Sequence, residues 1–150
     1  MLREKINAGM KEAMKSGEKL RVSTLRLCNA AIKNADIEAR TSGKTLTDDD
    51  LLGLLQKMIK QRQESVELYD KGGRKELADQ ERDEIEIIKG FLPQQMSDDE
   101  AKAAIAEVIK SEGATSVKDM GKVMAALKAV YAGKMDFAKA SGLVKSQLAG

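Results

Sequence analysis

From Leu2 to Leu148 the apolar side chains return every three or four residues, and glycines together with the single proline, Pro93, cut that pattern into seven stretches. A 3.6-residue period of this kind is one face of a helix. It predicts a chain of helices joined by short turns. Composition agrees: Ala, Leu, Lys, Glu and Met dominate, with two Tyr, two Phe and no Trp. The expected class is all-α, with a helical N-terminal domain of about four helices followed by a small three-helix C-terminal domain. Pro93 sets the boundary, because it cannot continue a helix and disfavours helical geometry just before it. The domains are therefore read as 1–92 and 93–150.

Each stretch has its own stripe and stop. The first helix buries Leu2, Ile6, Met10, Ala13 and Met14 and ends at Ser16-Gly17. The second runs from about Glu18 to Arg40 on Leu20, Thr24, Leu27, Cys28, Ala31, Ile32 and Ala35. Thr47 caps the third, whose stripe is Leu51, Leu55, Met58, Ile59, Val66 and Tyr69. Gly72-Gly73 turns the chain into a fourth helix, from about Arg74 to Phe91, on Leu77, Ala78, Ile85 and Ile88. Beyond Pro93, Ser97 and Glu100 form a capping box for a helix with Ala101, Ala104, Ile105, Val108 and Ile109 inward. Ser116, with Asp119 three places on, opens the next, buried through Met120, Val123, Met124, Leu127, Val130 and Tyr131. Asp136 caps the last, which carries Phe137, Ala140, Leu143, Val144 and Leu148 inward.

Several kinds of chemistry are excluded or disfavoured. The chain has no histidine and one cysteine, so a Cys/His zinc site, a His-dependent triad and an internal disulfide are all ruled out. Cys28 lies on an apolar face and reads as an inert buried thiol. Asp48-Asp49-Asp50 could suggest a metal, but a helix N-terminus favours anions there by roughly 0.3–1 kcal/mol each, and no calcium-loop spacing follows. No metal, cofactor or catalytic residue is expected. No apolar run approaches the roughly 20 residues that span a bilayer, and the N-terminus mixes charges too early for a signal peptide. The expectation is a cytoplasmic chain without a membrane partner.

Charge is segregated. Residues 1–44 carry ten Lys/Arg against five Asp/Glu, residues 45–112 ten against seventeen, and residues 113–150 six against two. Net values of +5, −7 and +4 result, the overall +2 hiding two basic ends around an acidic middle. In the second helix Lys19, Arg26, Lys33 and Arg40 recur every seven residues, opposite the apolar stripe; a solvated face and an anion-facing ridge both fit. In the sixth, Lys118 and Lys122 stand among Gly121, Ala125 and Ala129 on the face away from the core. Small side chains there would let a polyanion backbone come close; ordinary surface lysines are the other reading. Gly121 costs a helix about 1 kcal/mol relative to Ala, so a packing or approach reason is expected. In the acidic middle, Arg62, Glu81 and Glu84 fall where the stripes call for hydrophobes. A fold about Gly72-Gly73 sets Arg62 beside Glu81 or Glu84, a half-buried ion pair that fixes register without necessarily adding stability. A shared proton between the two glutamates is the catalytic alternative.

The segments Thr24-Leu25-Arg26-Leu27, Ala31-Ile32-Lys33-Asn34, Lys60-Gln61-Arg62-Gln63-Glu64-Ser65, Leu92-Pro93-Gln94-Gln95-Met96-Ser97, Lys118-Asp119-Met120-Gly121-Lys122-Val123-Met124 and Leu143-Val144-Lys145-Ser146-Gln147-Leu148 resemble, in order, the GatB/YqeY family. These are small bacterial proteins related to the C-terminal tail of the B subunit of a tRNA-dependent amidotransferase. The resemblance implies an all-helical N-terminal domain, a small helical tail and a tRNA- or RNA-binding role, since the related tail engages tRNA. That role is carried by motif onto Lys118, Gly121, Lys122 and Lys145. Lys128, Lys134 and Lys139, with Arg26 and Lys33 of the ridge, complete the candidate set. The amidotransferase's catalytic parts have no counterpart here. The leading expectation is a non-catalytic module contacting the backbone of tRNA or another structured RNA. A protein–protein adaptor and an accessory subunit of an amidotransferase are the alternatives.

Overall fold

A computed structural model describes residues 1–149. Among them the chain is all-α, with seven α-helices and no strand. It divides into two compact units, Met1–Pro93 and Gln94–Gly150.

The first unit holds α1 (Leu2–Ser16), α2 (Lys19–Thr41), α3 (Asp48–Lys71) and α4 (Lys75–Lys89). α1 turns into α2 at Gly17, whose φ of 74° is the left-handed conformation that closes the helix. Arg3 on α1 grips Asp36 on α2 with two hydrogen bonds of 2.7 and 2.6 Å. α3 and α4 form a hairpin around Gly72-Gly73 and pack along their lengths. Thr47 caps α3 reciprocally with Asp50, so at least one of the three aspartates serves the helix start. Ile6, Leu25, Leu51, Leu55 and Ile88 are fully buried and form the centre of the core. Thr24 is buried with them, its hydroxyl donating to the Leu20 carbonyl at 2.8 Å.

The stripe of α2 is rotated from the one its period suggested. Leu27 is 49% exposed, and Leu25 is fully buried in its place. The cause is that α2 packs against both α1 and α4, which pulls its inner face toward Leu25. There the Phe91 ring closes over Gly9 and Leu25; a Cβ on Gly9 would meet the ring at 3.1 Å and Leu25 at 3.6 Å. Met14, expected inward, is exposed in the last turn of α1.

The second unit holds α5 (Asp98–Ser111), a single 3₁₀ turn (Val117–Asp119), α6 (Met120–Tyr131) and α7 (Phe137–Ala149). Ser97 and Glu100 cap α5 reciprocally at 3.1 Å each way. Ile105, Val123, Leu127 and Val144 are its fully buried core. Met135, in the turn before α7, is 3% exposed and closes that core, although no helical period marked it. The segment entering α5 is tied to the same turn: the Met96 N–H donates to the Lys134 carbonyl and the Gln95 side chain to the Gly133 carbonyl. Val130, expected inward, is 64% exposed near the end of α6.

Candidate nucleic-acid interface

On α6 the buried Val123 and Leu127 fix the orientation, and Gly121, Lys122, Ala125, Lys128 and Ala129 are exposed. At 100° per residue Ala125 and Ala129 lie opposite the core, with Lys128 on one flank and Lys122 on the other. Lys118 is exposed in the 3₁₀ turn that leads into this helix. A Cβ built on Gly121 would meet nothing within 4 Å. No packing inside the chain therefore requires glycine there, and the space above it is open.

Among the described residues, the acidic side chains beyond residue 113 form no ion pair with the lysines there. From residue 113 onward the only acidic side chains are those of Asp119 and Asp136. Asp119 accepts from the backbone N–H groups of Thr115 (2.9 Å) and Ser116 (3.4 Å), which hold its carboxyl below the usual range, and Lys122 adds to that depression. Asp136 accepts from the N–H groups of Ala138 (3.0 Å) and Lys139 (3.4 Å), opening α7. Among the described residues Lys118, Lys128, Lys134, Lys139 and Lys145 are exposed and enter no ion pair. Lys122 differs: its Nζ donates to the Glu112 carbonyl at 2.9 Å and lies 4.0 Å from the Glu112 carboxylate, remaining 58% exposed. It closes the end of α5, a tie across ten residues that no local spacing rule marks.

The candidate residues are thus grouped only in part. Lys118, Gly121, Lys122 and Lys128 belong to α6 and its lead-in turn, Lys134 to the turn after it, and Lys139 and Lys145 to the outside of α7. Arg26 and Lys33 belong to the other unit, on the outer face of α2 with Lys19 and Arg40. All four are exposed, and none is in an ion pair among the described residues. The nearby acid Asp36 is held by Arg3, and Arg21 turns the other way, 5.8 Å over the Phe91 ring.

Arg62 sits between the two glutamates, its Nε 3.5 Å from Glu84 and 3.9 Å from Glu81, while its guanidinium also donates to the Met58 carbonyl at 3.2 Å. Burial pushes the Glu84 carboxyl above its ordinary value; Arg62 opposes the shift and Glu81 adds to it. The buried Arg62 Nε makes no hydrogen bond. One cation facing two carboxylates ties α3 to α4. Cys28 is 1% exposed, and burial pushes its thiol up to about 11, leaving it inert. Asp48–Asp50 do not converge: among the described residues no three Cys, Asp or Glu groups are placed to hold a metal. No described helix is long and apolar enough to cross a membrane.

Among the described residues, fold and surface define an all-helical protein in two units, each with an exposed group of cations beside abundant exposed acids. The chain belongs to the YqeY family, whose model, described as "Yqey-like protein", matches residues 3–148. Curated relatives carry the name "Altered inheritance of mitochondria protein 41, mitochondrial". One from Lachancea thermotolerans is 41% identical over 57% of this chain and 44% of its own length. One from Pyrenophora tritici-repentis is 30% identical over 83% and 70%, and one from Vanderwaltozyma polyspora 29% identical over 74% and 62%. The chain thus spans less than two thirds of two of these three relatives. Their names overturn the cytoplasmic expectation, and their sources are eukaryotic rather than bacterial. The expectation failed because a helical period and the lack of a long apolar run describe folding, whereas compartment is set by a sorting signal that core packing does not record.

Proposed function

We propose that this protein is a non-catalytic RNA-binding module, with tRNA as the leading ligand, that contacts the phosphate backbone through the lysines of its tail. The observation that carries the reading is the use of Asp119 and Asp136 as caps for backbone N–H groups. One oxygen of each carboxylate accepts two backbone N–H groups, and among the described residues the lysines around open Gly121 face solvent without an ion-pair partner, Lys122 excepted. Phosphate is the anion such a face accommodates in series. All four aromatic rings are at least partly buried, so recognition by base stacking is disfavoured. The mitochondrial names of the relatives make mitochondrial tRNA the pool to include. The test is an electrophoretic titration with total tRNA. Lys118→Ala/Lys128→Ala should weaken binding at least tenfold with the helical signal unchanged; unchanged affinity refutes the reading.

A protein–protein adaptor is the second reading, favoured by the Lys122–Glu112 tie, which removes one amine from the cationic set. It predicts a pull-down that survives nuclease and is lost in Ala125→Leu. An accessory role beside an amidotransferase predicts glutamine-dependent amide formation only in the mixture.

A further inference from the structure

We infer that the outer face of α2 is a separate, rigid polyanion surface whose occupant is double-helical RNA. The inference rests on the reading that the chain binds RNA, and it names the form of RNA this face takes. Lys19, Arg26, Lys33 and Arg40 are exposed and unpaired among the described residues. Their seven-residue interval sets them about 10.5 Å apart along the axis, and the whole line is about 31 Å long. Seven residues fall about 20° short of two full turns, so the line drifts only slowly around the helix. The result is a straight row of cations on one stiff element.

A flexible strand does not need such a row, because it can follow charges placed anywhere. A duplex edge does: its phosphates are held at fixed intervals along a stiff rod, so a fixed row of cations can meet several of them at once. Double-stranded RNA is read through its shape and backbone rather than by splayed bases, and this face carries no aromatic ring. Among the described residues none of the four forms an ion pair: Arg3 holds Asp36 with both oxygens, and Arg40 adds only a weaker pull on that carboxylate. Leu27 and Ile37 are 49% and 52% exposed on the outer side of the same helix. A duplex has little use for them, whereas an anionic bilayer would, and they therefore supply the contrary arm of the test.

The test uses the full chain and three probes: a 20-base-pair RNA duplex, a 20-nucleotide poly(U) strand, and phosphatidylcholine vesicles containing phosphatidylserine. The variants are K19Q/R26Q/K33Q/R40Q and L27Q/I37Q, both at exposed positions, with helical content checked for each. In the charge variant the plot of log affinity for the duplex against log salt should flatten by about 3 to 4, near 0.9 per lost phosphate contact, with poly(U) binding changed less than twofold. L27Q/I37Q should leave duplex binding within twofold. An unchanged duplex slope overturns the inference. So does a larger loss for poly(U), or wild-type vesicle binding that L27Q/I37Q abolishes while the charge variant keeps its duplex affinity. A Lys118→Ala/Lys128→Ala control separates the two claims: if it loses tRNA while the α2 variant binds duplex normally, the RNA reading stands and only this inference falls.

Discussion

Gly121→Ala and Gly121→Leu test the tail from two sides. Gly121 sits in α6 with a free space of at least 4 Å around the position a Cβ would take. Its φ is not positive, so no backbone strain opposes a side chain. Glycine in a helix interior is about 0.8–1.0 kcal/mol worse than alanine, and leucine is close to alanine. Both variants should therefore stabilise the tail by about 0.5–1 kcal/mol, a gain urea denaturation monitored by circular dichroism resolves. Binding should move the other way in the leucine variant. A phosphate lifted from about 4 Å to about 7 Å from an ammonium group loses about 0.4 kcal/mol at the dielectric of water and about 1.8 kcal/mol at an effective constant of 20. Two flanking lysines make that about 1–3.5 kcal/mol, or roughly fivefold to a few hundredfold in tRNA affinity. Filter binding reads the change, with Gly121→Ala intermediate. A destabilised Gly121→Ala would mean that the space is needed by the fold. Gly121→Leu binding tRNA as tightly as the parent would mean that nothing approaches that face.

The remaining expectations concern the first unit. Gly53→Ala, at an exposed site in α3 with nothing within 4 Å of the new methyl, should stabilise by about 1 kcal/mol in thermal unfolding without touching RNA binding. Arg62→Met should destabilise by about 3–5 kcal/mol, since it leaves two carboxylates facing one another. Glu84 has its folded pKa raised, so its contribution is fully present below the ordinary carboxylate value and lost as pH rises through the folded one. Parent stability should accordingly decline as pH rises above the ordinary carboxylate value, and Glu84→Gln should remove much of that decline in urea titrations at several pH values. Cys28 should resist a thiol reagent at pH 8 in the native state and react within seconds in denaturant; fast native reaction would contradict its burial.

The parts of the fold that followed from sequence are those where one local pattern decides. The Thr47 cap, the Ser97–Glu100 box and the glycine turns needed only neighbouring residues to recognise. The Arg62–Glu84 contact also followed, because a hairpin about Gly72-Gly73 turns spacing into proximity. What escaped depended on more than one partner. Leu25 outranks Leu27 because α1 and α4 both press on α2, and a period calculated for one helix cannot weigh two neighbours. Met135 closes a core from a turn, where no period exists. The Lys122–Glu112 tie joins a side chain to the end of another helix, and only the fold brings them together.

The central claim is that exposed tail amines, left free by carboxylates committed to capping, hold RNA by its phosphates. The salt dependence of tRNA affinity tests it most directly. With about four phosphate contacts, log affinity against log salt should fall with a slope of about −3 to −4. A flat response would contradict the account, whatever the affinity at low salt.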